Sequence, residues 1–188
     1  PRDLCTLDNI GILIEAGITS FKIEGRMKRP EYVAVIVKQY REAIDVYLKK
    51  QELNDVNNRI IEMKQMFNRG FTKGYLLHDN NFMAKEYPGN RGIDLGTVVD
   101  YDKKRKVVKI KLLNRIKQGD RISFKSTDFV RTITKLFLNQ KLVNQANKNS
   151  IIEIELNTAV KKGEPVYKII DIELIEKAFI IMNKTNIF

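Results

Sequence analysis

The apolar residues of this chain change their period near Arg91, and that switch divides the sequence into two differently built parts. Upstream they recur every three or four residues. Thr6–Ala16 reads as a helix: Thr6 is a plausible N-cap, Ile10, Leu13 and Ile14 share a face, and Gly17 suits the position just past the end. Thr19–Glu24 reads as a strand ending at Gly25. Pro30 sits where a first helical turn tolerates it, ahead of an amphipathic helix marked by Val33, Ile36, Val37, Tyr40, Ile44, Tyr47 and Leu48. A further helix carries Leu53, Val56, Ile60, Met63 and Phe67 and stops near Gly70. Helix, short strand and helix make one unit of a parallel α/β fold, and one unit closes neither a sheet nor a barrel. The missing strands are expected upstream of Pro1, since the chain opens without an initiator Met and reads as part of a longer one.

Downstream the period is two. Gly96–Asp100 and Lys106–Leu112 read as a hairpin across Tyr101–Arg105, with Val108, Ile110 and Leu112 facing one way and Lys109 and Lys111 the other. Gly119-Asp120 marks a turn before Arg121–Phe124, and Phe129–Leu138, Ile151–Leu156 and Val166–Ile170 supply further strands. So many short strands in so little chain predict a small closed barrel. Helical spacing returns over Asp171–Asn183, at Leu174, Ile175, Ala178 and Ile181. The class expected is α+β. Residues 1–68 form the truncated first domain, 69–90 an irregular connector, 91–171 the barrel, and 172–188 a terminal helix and tail.

Charge separates the parts as sharply as period does. The net charge is +11, and residues 101–150 alone hold 14 Lys+Arg against 3 Asp+Glu. The remaining segments are nearly balanced, at 15 against 14 before residue 101 and 5 against 6 after residue 150. A lysine-rich proteome would spread cations evenly, so the confinement points to a surface that faces a polyanion. No run approaches the ~20 apolar residues of a membrane span. The opening Pro1-Arg2-Asp3 is not a signal peptide. One cysteine, Cys5, excludes an internal disulfide and suits a reducing cytoplasm; with one histidine, His78, it cannot make a zinc site unaided.

Particular residues carry more than their pattern. Pro1-Arg2-Asp3-Leu4-Cys5 and Ser20-Phe21-Lys22-Ile23-Glu24-Gly25-Arg26-Met27-Lys28-Arg29-Pro30-Glu31-Tyr32-Val33-Ala34 resemble the late barrel region of U32 peptidases, the collagenase-like proteases. Asn68-Arg69-Gly70-Phe71-Thr72-Lys73-Gly74-Tyr75-Leu76 resembles the family's next landmark. Arg91-Gly92-Ile93-Asp94-Leu95-Gly96, Lys117-Gln118-Gly119-Asp120 and Lys162-Gly163-Glu164-Pro165-Val166-Tyr167 resemble its C-terminal barrel, which is similar to the second domain of elongation-factor-type GTPases. The resemblance implies the C-terminal piece of a β/α (TIM-like) barrel followed by a small antiparallel β-barrel. It also implies two chemistries: protein cleavage, or hydroxylation of tRNA or rRNA pyrimidines. An iron–sulfur cluster in the parent protein and a U32-family partner subunit belong to the same implication. The family's cysteine-rich signature lies upstream, so no cofactor is expected within this chain.

In such a barrel the C-terminal strand ends line the active site, which makes Lys22, Glu24 and Arg26 candidates to bind a carboxylate or position a base. The alternative is an ion pair that only fills the barrel mouth. Lys28 and Arg29 lie just before a helix N-terminus, where anions are favoured. Cys5 is a candidate cluster ligand with partners upstream, or a small buried hydrophobe. Lys103, Lys104, Arg105, Lys106, Lys109, Lys111, Arg115 and Lys117 are candidates to hold an RNA backbone. With Tyr101 the nearest aromatic, phosphate contacts are expected rather than base reading. The competing functions are an RNA-modifying enzyme whose chemistry lies upstream, a peptidase acting on protein, and a binding module alone. No Ser/His/Asp or Cys/His set appears in these residues.

Overall fold

The computed structural model describes residues 1–83, 89–125 and 127–184, and of residues 127–129 only the backbone. It divides into two compact units, Pro1–Arg91 with Leu174–Phe188, and Gly92–Glu173.

In the first unit, β1 (Asp3–Leu4) leads through a 3₁₀ turn, Leu7–Asn9, into α1 (Ile10–Glu15). Thr6 caps neither turn nor helix with its side chain. The helix ends where the glycine signal places it. Gly17 has φ 86°, its N–H donates to the Ile14 carbonyl, and the Ile18 N–H reaches back to Leu13, so the last carbonyls are satisfied. α2 (Pro30–Leu48) starts on Pro30 and packs against α1 where Gly11 leaves room; a Cβ there would meet the Tyr47 ring at 2.5 Å. α3 (Val56–Met66) is tied to α2 by Arg59, which donates to Gln39 at 2.7 Å and to Glu42 at 2.6 Å. Cys5, Leu7, Ile10, Ile36, Ala43 and Met63 form the buried cluster. The apolar stripe of α2 is wider than the face it buries. Val35, Ile36 and Ala43 are inside, whereas Val33, Val37 and Leu48 stay exposed. Val37, Ile44 and Leu48 line an open apolar groove of about 620 Å³ with Ile14, Phe21 and Ile23.

Two expectations change here. Residues 18–25 form no strand. Phe21 and Ile23 pack on the helical cluster, but no strand lies alongside to take the backbone hydrogen bonds. The one ladder of this unit among the described residues is instead parallel, β1 with β2 (Phe71–Thr72), and it does not by itself make a β/α barrel. That ladder also removes 69–83 from the connector. Asp3 accepts two bonds from the Arg69 guanidinium, at 2.6 and 3.0 Å, and one from its backbone N–H at 2.7 Å. Residues 84–88 of the expected connector and the tail at 185–188 lie outside the described residues. α4 (Ile172–Lys184) supplies Leu174 and Ala178, which bury against Val35.

The second unit is an antiparallel sheet. Its strands are β3 (Ile93–Asp102), β4 (Val107–Leu112), β6 (Arg121–Phe124), β7 (Thr127–Thr132), β8 (Leu136–Leu138), β9 (Lys141–Val143), β11 (Ile151–Glu155) and β12 (Pro165–Ile170). The order is β7-β6-β12-β3-β4-β11-β8-β9. β5 (Ile116–Lys117) and β10 (Gln145–Ala146) form a small separate ladder. The stretch expected as one strand over Phe129–Leu138 breaks at 133–135, and that break bends the sheet. β7 and β8 stand six strand spacings apart, about 29 Å if flat. The four residue steps from Thr132 to Leu136 span at most about 14 Å. The sheet must therefore curl. Ile133 and Leu136 enter one core with Val108, Ile110, Leu112, Ile122, Ile152 and Val166. Among the described residues the sheet curls without a closing ladder, and β7 and β9 stand at its edges. Among the described residues no helix is long and apolar enough to cross a membrane.

Candidate functional site

The alternation of β4 buries Val108, Ile110 and Leu112 and leaves Lys109 and Lys111 outside, as the period of two requires. Between β3 and β4 the chain turns over Lys103, Lys104, Arg105 and Lys106, all four exposed. The turn is fixed. Asp102 Oδ1 accepts the N–H of Lys104 at 2.9 Å and of Arg105 at 3.0 Å, and Lys106 takes φ 54°. The carboxylate is thus engaged with backbone. None of the four cations forms an ion pair among the described residues.

Strand pairing brings further cations to the same end of the sheet. β11 finishes opposite the start of β4, with Glu155 paired to Val107, and the Leu156 N–H donates to the Lys106 carbonyl at 2.8 Å. The following loop carries exposed Lys161 and Lys162 and returns to β3 through the Gly163 N–H on the Val98 carbonyl. Lys135, before β8, reaches Glu155 at 3.5 Å with both side chains more than half exposed. Lys135, Lys161 and Lys162 escaped the sequence reading because only strand order carries them to the hairpin tip.

The other four predicted cations lie elsewhere. Lys109 sits between cross-strand Asp100 and Glu153 and pairs with Glu153 at 3.6 Å. Lys111 donates to the Asn149 carbonyl. Arg115 and Lys117, at the opposite end, both pair with Glu173, the latter at 3.2 Å. The Arg115 hydrogen bond, with help from Lys117, holds the Glu173 carboxyl below the usual carboxylate range. Beside them Lys168 points inward from β12, buried between Asp171 at 2.6 Å and Asp120 at 3.6 Å. Burial pushes the Asp120 carboxyl up, against the pull of Lys168. The eight predicted residues are therefore not one patch. The hairpin tip is a patch; Lys109, Arg115 and Lys117 pair with carboxylates and Lys111 bonds a backbone carbonyl.

In the first unit Lys22, Glu24 and Arg26 are exposed. Lys22 pairs with Glu24 at 3.7 Å, and Glu24 Oε1 accepts the Arg26 N–H at 2.8 Å. The groove on this segment is lined by Phe21 and Ile23 and by none of these three. Lys28 lies 3.0 Å above the Phe67 ring, with its ammonium pKa lowered by burial and by Arg69, while Arg29 reaches Glu31 at 3.5 Å. Cys5 is 6% exposed among Leu7, Ile10 and Ile36. Burial pushes its thiol up, and Tyr40 beside it is pushed up to about 12 by the same cause. An iron–sulfur cluster needs several thiolates. The chain has one, and among the described residues no group of three His, Cys, Asp or Glu could hold a metal. These residues alone do not fit such a group.

Residues 1–85 match the family model of peptidase family U32. The chain belongs to that family. Among its U32 relatives, an uncharacterized protease of Methanocaldococcus jannaschii is 36% identical over 89% of the chain and 43% of its own length. The tRNA hydroxylation protein P1 of Bacillus subtilis is 32% identical over 66% of the chain and 31% of its own length. A collagenase of Porphyromonas gingivalis is 41% identical over 41% of the chain and 19% of its own length. The chain thus spans less than half the length of each of these relatives.

Proposed function

We propose that this U32 chain is the C-terminal part of a protein that supports hydroxylation of tRNA or rRNA pyrimidines, with the second unit holding the RNA. The observation that carries this reading is the hairpin tip: four adjacent exposed cations, none in an ion pair among the described residues, on a turn fixed by Asp102. Its unit holds seventeen Lys+Arg against ten Asp+Glu between Gly92 and Glu173. A phosphate backbone complements such a surface, whereas a collagen-like protein gives it no electrostatic partner. The relative named as a tRNA hydroxylation protein supports the same direction. The chemistry belongs to residues outside this chain, in a cytoplasmic protein.

The second reading is a peptidase acting on protein, favoured by the likeness to a collagenase. The two separate in one titration of the intact protein against tRNA and against a collagen peptide. RNA affinity is expected to fall steeply with salt, because each neutralised phosphate releases counterions. Lys104→Glu with Arg105→Glu is expected to weaken RNA binding without unfolding the protein. Equal RNA affinity in variant and parent, or salt-insensitive binding of the collagen peptide with none of RNA, overturns the proposal.

A further inference from the structure

We infer that the hairpin-tip end of the second unit takes the backbone of base-paired, helical RNA rather than of a single strand. The inference rests on the RNA reading above and narrows its substrate. Proteins that hold single strands combine cations with exposed aromatic rings on which bases stack. Among the described side chains this end has the cations without exposed rings. Tyr101 is packed against the core and its hydroxyl donates to the Leu156 carbonyl at 3.0 Å. Phe124, which finishes β6 at the same end, is 2% exposed. Among the described residues no other aromatic belongs to these loops, and no large apolar side chain exposed on this unit lies in them.

What remains is a rigid set of point charges. The β3–β4 turn is held by Asp102, and the β11–β12 loop is tied back to β3 by Gly163 and to the turn by Leu156. Lys103, Lys104, Arg105 and Lys106 are exposed on one loop, and Lys161 and Lys162 are exposed on another that is tied to it through Leu156 and Lys106. Cations on two loops suit two phosphate strands at fixed separation. A helix presents its backbones that way, and a flexible strand pays an ordering cost to match it. Recognition of helical RNA by shape and phosphate needs no base contact. The hairpin turn itself offers only Lys and Arg, and the amide side chain at this end is that of Asn157 in the second loop.

The test uses the chain with an RNA duplex of about 20 base pairs and a homouridine strand carrying the same number of phosphates. Two double variants carry equal charge change: Lys104→Glu with Arg105→Glu at the tip, and Lys141→Glu with Lys148→Glu at the other end of the sheet, where β8 meets β9 and Asn149 bonds Leu112. Circular dichroism confirms that each is folded. The duplex is expected to bind at least about tenfold tighter than the strand, and the tip variant to lose at least about tenfold more duplex affinity than the other. A strand that binds as tightly as the duplex, with the tip variant still defective, overturns this inference and leaves the RNA reading standing. Equal loss in the two variants, or no binding of either RNA, overturns both.

Discussion

Lys168 Nζ lies 2.6 Å from Asp171 Oδ2 inside the second unit, with only 4% of the lysine side chain exposed. Asp120 completes the set at 3.6 Å, and its other oxygen accepts the Ile172 N–H at 2.9 Å, so the cluster also fixes the start of α4. Removing the cation would leave two buried carboxylates facing each other. Lys168→Ala is expected to cost about 3–5 kcal/mol, the range for breaking a buried pair by deleting one partner. Replacing all three charges by Met, Asn and Asn should recover most of that. Urea unfolding of both variants measures it, and a loss under 1 kcal/mol for Lys168→Ala would show the cluster to be solvated.

This cluster marks where the sequence stops being legible. The core faces of β4 and β11 can be read directly, because Val108, Ile110, Leu112, Ile152 and Ile154 alternate with charged residues. A lysine at an inward position breaks that code, and Lys168 is buried where Asp171, three residues on, and distant Asp120 both meet it. Thr19–Glu24 fails for the converse reason. Its alternation is sound, with Phe21 and Ile23 packed and Lys22 and Glu24 exposed, but a strand needs a neighbour and this segment has none among the described residues. The candidate RNA surface was half legible. Lys103 to Lys106 are adjacent in sequence, so one turn gathers them. Lys135, Lys161 and Lys162 join through register, which no local pattern encodes.

Gly96 illustrates a constraint that register does explain. A Cβ at this position would stand 2.1 Å from the Lys111 carbonyl oxygen and 3.2 Å from Ile110 Cγ2. The obstacle is backbone of the neighbouring strand, which cannot swing aside as a side chain could. Gly96→Ala is expected to lose roughly 2–3 kcal/mol as β3 is pushed from β4. Gly163→Ala meets nothing within 4 Å but has φ 84°, so its smaller cost reports backbone strain alone. Thermal unfolding of the pair separates the two effects, and equal losses would refute the close-approach account.

The thiol of Cys5 should behave as a buried apolar group. Burial raises its pKa, which keeps it protonated at neutral pH, and thiolate is the reactive form. A disulfide reagent is expected to modify the native chain at least about a hundredfold more slowly than the unfolded chain at mildly alkaline pH. Addition of ferrous iron and sulfide should leave the chain without cluster absorbance. Rapid native labelling would mean that the Leu7–Ile10–Ile36 packing around Cys5 opens readily.

Glu173 supplies a pH dependence of definite sign. Its carboxyl is held low chiefly by the Arg115 hydrogen bond and then by Lys117, and it lies in the first turn of α4, where negative charge is favoured. A folded pKa below the unfolded value means that the unfolded chain binds the extra proton. The stabilisation is therefore complete above the ordinary glutamate pKa of about 4.3 and disappears as pH falls through the lower folded value. Glu173→Gln should cost about 1 kcal/mol or less at pH 7, since Arg115 and Lys117 are both partly exposed and solvent screens the pair. The gap between parent and variant should close on acidification below about pH 4 and also narrow in molar salt. Melting curves from pH 7 to pH 3 measure both. A gap that widens toward acid would mean that Glu173 is held by protonated contacts instead of by these cations.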